Sequence, residues 1–190
     1  MVPVIKHVVW AGVTVFVCGC SPGLSPEQFQ AKVQEFQSRS AAEIASYPAE
    51  TFSVAGMRKR YSGATFLDYS VQHGTQVEYL APDGKTFLWY PGNTAVVIGQ
   101  WTVKPPVGGS KYARLCWKYG LLTYNPVTQR PGGEFSCVNA NRHILAEEEY
   151  TRGDPFDLRE SGIPFPLKKK RQYSMKELAK RSGASVVLVH

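Results

Sequence analysis

Short alternations of apolar and polar residues, separated by turn signals, run through the middle of this chain and constrain its fold most. Pro82-Asp83-Gly84 lies between two such segments, 76–80 and 86–90. Proline presets one backbone angle of a turn, and glycine supplies the positive φ that the turn requires. Links this short join antiparallel strands, because parallel neighbours need crossovers of about a dozen residues. The predicted strands are 65–71, 76–80, 86–90, 95–103, 112–119 and 134–140.

The segment before these strands carries the start signals and the apolar spacing of an α-helix. Ser25 is a good N-cap, Pro26 fits the first helical position, and Gln28 stands where a capping box places Glu or Gln. A weaker helical pattern follows at 40–47 and ends at Pro48. The spacing predicts one apolar helix face, made of Phe29, Val33 and Phe36.

These elements predict an α+β fold that is mainly β, with the N-terminal helix packed on a curled antiparallel β-meander. A lipocalin-like closed barrel is a variant of this prediction, since a filled barrel and a hollow one share the same alternation. Aromatic residues, 12% of the chain, fill the core in the simplest interpretation. In the alternative, one sheet face stays open to an apolar or sugar ligand. That candidate ligand face comprises Trp89, Trp101 and Trp117.

The N-terminal residues indicate export from the cytoplasm. Residues 8–17 carry no charge and are too few to cross a bilayer, which takes about 20 helical residues, so they fit the apolar region of a signal peptide. Val17-Cys18-Gly19-Cys20 follows and resembles the lipobox of bacterial lipoproteins. Cys18 departs from that pattern, since alanine or serine is usual there.

The lipobox resemblance implies a signal peptide at 1–19, diacylation of Cys20 and a lipidated tether at 20–24. Ser21 follows the cysteine where aspartate would signal retention at an inner membrane. The expected location is therefore the outer membrane, facing the periplasm. Ordinary secretion after a nearby cleavage is the alternative.

Removal of the signal and lipidation of Cys20 leave an even pair of cysteines, Cys116 and Cys137, in an oxidising compartment. We predict one disulfide between them. A metal site or a nucleophilic thiol lacks support, because neither cysteine has a second cysteine two residues away or a nearby histidine at zinc-ligand spacing.

The positive charge is concentrated at the C-terminus. Residues 20–167, which contain the predicted single domain at 25–167, hold fourteen Lys and Arg against fourteen Asp and Glu. Residues 168–190, predicted as a basic tail, hold seven basic residues against one glutamate. Either the tail and the acidic stretch 147–149 are both solvated, or one folds back loosely on the other, or the tail contacts anionic envelope material or a partner protein. Nucleic acid is not expected as the partner, because the predicted location is the cell envelope. The residues of that contact are Lys168, Lys169, Lys170 and Arg171.

No catalytic, phosphate-binding or metal-binding motif appears in the sequence. Asp68, Glu78 and Asp83 are the carboxylates that strands could bring together, as a glycosidase requires. In the simpler interpretation, Asp83 stabilises its turn and the other two carboxylates lie on a solvated face of the sheet. We therefore predict no enzymatic activity, no cofactor and no metal.

The strand motifs are Pro82-Asp83-Gly84, Gly99-Gln100-Trp101, Leu115-Cys116-Trp117 and Ser136-Cys137-Val138. In this order they resemble an uncharacterised family of small secreted bacterial proteins and lipoproteins, domain of unknown function nine-nine-five. The resemblance covers roughly 41–139 and implies helices that lead into a sheet with an Asp-Gly hairpin, a Gly-x-Trp strand and a cysteine pair. It implies no activity.

The sequence thus predicts a non-enzymatic cell-envelope lipoprotein with a binding or structural role, whose basic tail contacts an anionic partner. Two other functions remain open. A lipocalin-like carrier of a small apolar ligand would show a cavity. An inhibitor of an extracytoplasmic lytic enzyme such as lysozyme would present an exposed acidic loop.

Overall fold

The computed structural model describes residues 25–189, except for the side chains of Pro26, Phe29, Lys32, Val33 and Phe36. The predicted signal peptide, the tether and the lipidation site Cys20 lie outside the described residues. The predicted apolar helix face also lies outside them. The chain divides into two units, one that ends at Arg39 and one that begins at Ser40 and contains the sheet.

The predicted N-terminal helix and its cap are confirmed, and the helix is longer than expected. Helix α1, Pro26–Ser46, begins with a reciprocal capping box: the Ser25 N–H donates to Gln28 Oε1 at 2.9 Å, and the Gln28 N–H donates to Ser25 Oγ at 3.2 Å. The weaker pattern at 40–47 continues the same helix, which ends before Pro48.

A single antiparallel sheet of seven strands confirms the predicted fold class, α+β with a curled antiparallel sheet. The sheet forms a half-barrel with β8 and β9 at its edges and not the closed lipocalin-like barrel. The strand order is β8-β5-β4-β3-β2-β1-β9, and each neighbouring pair is antiparallel. The six predicted strands are present with ends shifted by a few residues. The strands are β1 Ala64–Ser70, β2 Gly74–Leu80, β3 Lys85–Trp89, β4 Val97–Lys104, β5 Arg114–Tyr119, β8 Ser136–Asn139 and β9 Glu147–Arg152.

Several shorter elements complete the fold. A 3-10 helix, Ala49–Phe52, leads into α2, Val54–Tyr61, and α3, Ala140–Ala146, joins β8 to β9. Between β5 and β8 the chain forms a separate small hairpin of β6, Tyr124–Asn125, and β7, Arg130–Pro131. Among residues 25–189, no helix combines the length and the apolar character needed to span a bilayer.

Alternation along the strands produces two buried clusters, one on each face of the sheet. Helices α2 and α3 cover the first, which we call the α2 face. The C-terminal segment covers the second, which we call the α4 face after helix α4, Met175–Ser182. The α2 face includes Phe66, Leu80, Trp101 and Leu115, and the α4 face includes Leu67, Val77, Phe87 and Trp89.

The C-terminal residues predicted as a tail are packed into the fold over most of their described length. Ser174 caps α4 by accepting from the Glu177 N–H, and Gly183 ends the helix in a left-handed conformation. After the helix, one bridge joins Leu188 to Thr151 of β9. The segment packs because it buries Leu167, Tyr173, Met175 and Leu178 against the α4 face.

Candidate functional site

The basic residues form a loop that the sheet holds in place. We call Lys168, Lys169, Lys170 and Arg171 the basic loop. Its backbone hydrogen bonds to the link between β1 and β2 and to the start of β2: the Lys170 N–H donates to the His73 carbonyl at 3.4 Å, and the Thr75 N–H donates to the Arg171 carbonyl at 3.0 Å. Just before the loop, the Leu167 carbonyl accepts from the Gly92 N–H at 2.8 Å. Since Leu167 and Tyr173 are buried on either side, the lysines have a fixed position.

A glycine makes this close approach possible. Gly74 has φ +92°, and a Cβ built on it would lie 2.7 Å from the Lys170 backbone nitrogen. Any other residue there would push the basic loop away from the start of β2. Lys170 itself has φ +59°, in the left-handed region, so the loop turns sharply at this residue.

The four basic side chains differ in their surroundings. Arg171 pairs with Glu177 at 3.0 Å, and its guanidinium lies 4.6 Å from the ring centre of Tyr173. Lys168, Lys169 and Lys170 are exposed, and no salt bridge in the described part of the chain includes them. The side chain of Lys169 extends over Gly92. The loop thus presents three ammonium groups to solvent.

The basic loop belongs to one end of the sheet, which we call the basic end. This end is where β1, β3 and β5 finish, so it gathers the links 71–73, 90–96 and 120–135. A groove of about 480 Å³, lined by 92–98 together with Gly120 and Thr123, lies between the last two links. Because Leu167 and Lys169 contact Gly92, the basic loop borders this groove.

Charge differs between the two ends of the sheet. At the basic end, segments 69–77, 90–98 and 119–133 contain no Asp or Glu, and their single Lys or Arg is Arg130. The links at the opposite end have mixed charge, and there Asp83 pairs with Arg159 at 3.1 Å. Two carboxylates near the three lysines bond to other side chains. Glu177 pairs with Arg171, and Glu148 accepts from Gln172 at 3.0 and 3.1 Å.

The acidic triplet 147–149 forms the first half of strand β9, and each glutamate makes an intramolecular contact. Glu147 accepts from Arg60 at 2.6 Å and from the Tyr61 hydroxyl at 2.7 Å. Glu148 accepts from Gln172, and Glu149 accepts from the Met175 N–H at 2.7 Å, at the start of α4. A negative charge at a helix start is favourable because it faces the positive end of the helix dipole.

The prediction that three tryptophans share a ligand face is wrong for Trp89. Trp101 and Trp117 form a cross-strand pair on the α2 face, but Trp89 lies on the α4 face. Trp89 is fully buried and donates its indole N–H to the Phe165 carbonyl at 2.8 Å. Trp101 is 6% exposed and donates to the Ala81 carbonyl at 2.8 Å. Both are core residues, whereas Trp117 is half-buried.

Strand carboxylates predicted on a solvated face point instead into the α2 face. Glu78 is 6% exposed and accepts from the Tyr119 hydroxyl at 2.5 Å and from the Thr86 hydroxyl. Burial raises the pKa of Glu78 to about 7. The two hydrogen bonds lower this pKa and the Asp68 charge raises it, but both effects are smaller than that of burial. Burial and the Glu148 charge raise the pKa of Asp68 to about 7 as well. Asp83 is confirmed in its turn, where it accepts from the Lys85 N–H at 3.1 Å.

Gly99, the first residue of the Gly-x-Trp motif, lets Tyr119 reach Glu78. A Cβ on Gly99 would lie 2.7 Å from Tyr119 Cδ1 and 3.0 Å from Thr86 Cγ2. The Tyr119 ring therefore lies across β4 at the one position without a side chain. Within the described residues, no three His, Cys, Asp or Glu side chains are grouped so as to hold a metal ion.

We expect the buried Glu78 carboxyl to make stability depend on pH. Its pKa is higher in the folded than in the unfolded chain, so its contribution is present below about pH 4.5 and is lost as the pH rises through about 7. The free energy of unfolding should fall over that range by on the order of 3 kcal/mol from this group. Glu78→Gln keeps an oxygen acceptor for both hydroxyls and should remove this part of the slope.

Urea unfolding of both proteins between pH 4.5 and 8 measures the difference. Glu134→Gln is the matched control, because Glu134 is exposed and its substitution should leave the slope unchanged. If the free energy of unfolding changes with pH in the same way for the wild type and the Glu78 variant, Glu78 is not the group that makes stability depend on pH.

Comparison with known proteins identifies no relative: no protein-family model, no curated protein and no solved structure matches this chain. The resemblance to domain of unknown function nine-nine-five therefore stays a prediction.

Proposed function

We propose that this protein is a non-enzymatic binding protein of the bacterial cell envelope and that the basic loop contacts an anionic partner there. The observation that carries the proposal is the fixed position of three exposed lysines at an end of the sheet whose links 71–73, 90–96 and 120–135 contain one carboxylate, Glu134. A loose solvated tail would have no backbone bonds to the sheet. The loop bonds to His73 and Thr75, and Leu167 directly before it bonds to Gly92.

The envelope location rests on the lipobox resemblance at 17–20, with Cys20 as the lipidated residue. The disulfide between Cys116 and Cys137 supports it, because such bonds persist in oxidising compartments. A lipid on Cys20 would hold the protein at a membrane and so raise the local concentration of the basic loop near any anionic surface.

The two other functions predicted from the sequence receive less support. A carrier needs an enclosed cavity, but the groove at the basic end and a second one at 155–164 and 182–184 are shallow surface features. An inhibitor of a cationic lytic enzyme needs exposed acidic residues, but the triplet at 147–149 is used within the fold.

Exchange of the three lysines for glutamine tests the proposal. Each basic side chain near an anionic membrane contributes about 1 kcal/mol, so Lys168→Gln, Lys169→Gln and Lys170→Gln together should weaken binding to anionic vesicles roughly 100-fold. Arg171 is left in place, because its loss would leave Glu177 without its partner. Cosedimentation with vesicles that contain phosphatidylglycerol measures the effect.

Lys59→Gln, Lys85→Gln and Lys111→Gln together form the matched control. These lysines are also exposed and their removal changes net charge equally, but they lie away from the basic end. All proteins carry Cys20→Ala, so that a lipid does not mask the second contact. Equal loss of binding in both triple variants would reduce the effect to net charge and contradict the proposal.

A further inference from the structure

The basic end also carries the most exposed large apolar side chain of the described residues, that of Leu122. Leu122, which precedes β6, is 101% exposed, and Leu121 and Tyr124 are 79% and 60% exposed. Exposed single hydrophobic residues are common, but two adjacent leucines in the turn that directly follows β5 are not explained by packing. We call this turn, residues 120–123, the leucine turn. Val71, in the link between β1 and β2, is 69% exposed at the same end.

The hairpin that carries these leucines has a defined shape. The Thr123 N–H donates to the Gly120 carbonyl at 2.9 Å, the Gly132 N–H donates to the Thr123 carbonyl at 2.9 Å, and the Gly133 N–H donates to the Tyr119 carbonyl at 2.8 Å. Gly133 leaves room for Leu121, whose Cδ2 would lie 2.4 Å from a Cβ at that position. The two leucines are thus displayed by an ordered turn.

The leucines and the basic loop border the same groove. Gly120, directly before Leu121, lines it on one side, and Gly92, under the Lys169 side chain, lines it on the other. One end of the sheet therefore combines exposed apolar side chains with three exposed ammonium groups, and its links 71–73, 90–96 and 120–135 contain one carboxylate, Glu134.

We propose that the basic end binds the surface of an anionic phospholipid bilayer, with Leu121 and Leu122 inserted among the acyl chains and the basic loop at the phosphates. This proposal rests on the proposed function and names its partner. Charge complementarity argues for an anionic surface. A bilayer fits because it accepts exposed apolar side chains without a matching pocket. Lysines beside the leucine turn can also contact the headgroups while the leucines reach the hydrocarbon.

A tryptophan placed in the leucine turn reports directly whether the turn inserts into the bilayer. In vesicles of phosphatidylglycerol and phosphatidylcholine with brominated acyl chains, Leu122→Trp should add fluorescence that bromine quenches, relative to the parent protein. The matched control is Val107→Trp. Val107 is 54% exposed in the β4 to β5 link, at the opposite end of the sheet, and it too has lysines nearby, Lys104 and Lys111. Its added fluorescence should not be quenched.

Polar substitution of the two leucines measures how much they contribute to the affinity for vesicles. Leu121→Ser with Leu122→Ser should weaken binding to the same vesicles about tenfold or more, since two leucines lose contact with hydrocarbon. Val107→Ser should leave binding unchanged. Melting temperatures should not move in either variant, because these side chains are exposed in the fold.

Three outcomes would overturn the inference. Vesicle binding that depends on the lysines without quenching of Leu122→Trp removes insertion but leaves the proposed function intact. Equal quenching at positions 122 and 107 shows that no particular end of the sheet faces the membrane. Retention on a soluble polyanion or an acidic protein, with no binding to the vesicles, identifies a partner other than lipid.

Discussion

Replacing Trp89 with alanine is expected to destabilise the protein by about 3–5 kcal/mol, a large share of the roughly 5–15 kcal/mol that holds a typical domain folded. Trp89 is fully buried, and its ring centre lies 5.5 Å from that of Phe156 and 5.0 Å from that of Phe165. Its loss leaves a cavity on the α4 face and removes the N–H that bonds the Phe165 carbonyl. The C-terminal segment, and with it the basic loop, should come loose first.

Chemical unfolding measures the loss, and limited proteolysis within 155–175 should show the loosened segment. Trp89→Phe is the matched control, because it keeps a ring in the core but loses the N–H, and it should cost markedly less. A change below about 1 kcal/mol in the alanine variant would mean that the C-terminal segment does not depend on this contact.

Loss of the disulfide should have the second largest effect. Cys116 and Cys137 are directly opposite on β5 and the edge strand β8, with a Cα–Cα distance of 4.0 Å and a sequence separation of 21. Closing a loop of this length stabilises the fold by about 3 kcal/mol in the chain-entropy description. Cys116→Ala with Cys137→Ala should therefore lower the melting temperature by roughly 6–12 °C, at about 2–4 °C per kcal/mol.

The effect should appear as a loss of order in β8 and in the β6 and β7 hairpin, since the hairpin lies within the closed loop and β8 contains Cys137. The wild type under reducing conditions is the control and should melt near the double variant. Native protein whose two cysteines are freely alkylated without a reductant would contradict the pairing.

Turn chemistry explains why the central strands were predictable. Proline and glycine at 82–84 and 91–92 have few alternatives to a turn, so the hairpins around β3 follow from local sequence. The two Ser caps, at α1 and α4, were predictable for a similar reason, because each depends on neighbours within three residues.

Elements that depend on tertiary contacts were missed. Strand β9 begins with three glutamates, which disfavour a strand, and it forms because Arg60, Gln172 and the Met175 N–H at the start of α4 donate hydrogen bonds to their carboxylates. Helix α2 contains Gly56, a poor helix residue, where a Cβ would lie 2.0 Å from the Glu50 carbonyl oxygen of the preceding 3-10 helix. Close packing selects glycine there, and no local pattern reveals it.

The candidate site was predictable in composition but not in form. The charge excess in the sequence identified the basic loop, yet only the fold shows that Leu167 and Tyr173 anchor it and that Gly74 lets it approach β2. The leucine turn lies in a link with no periodic pattern of apolar residues. The leucine turn and the basic loop share one location because the strand order brings these segments, about 50 residues apart in sequence, to one end of the sheet.

The salt dependence of vesicle binding tests the central claim most directly. Affinity for phosphatidylglycerol vesicles should be measured for the parent and for the triple glutamine variant of Lys168, Lys169 and Lys170 as the salt concentration rises. Exposed charges are screened over about 8 Å at physiological ionic strength, so the parent should lose affinity steeply. The variant should bind weakly with a much shallower slope. Equal affinities and equal slopes for the two proteins would contradict the assignment of the basic loop as the anionic contact.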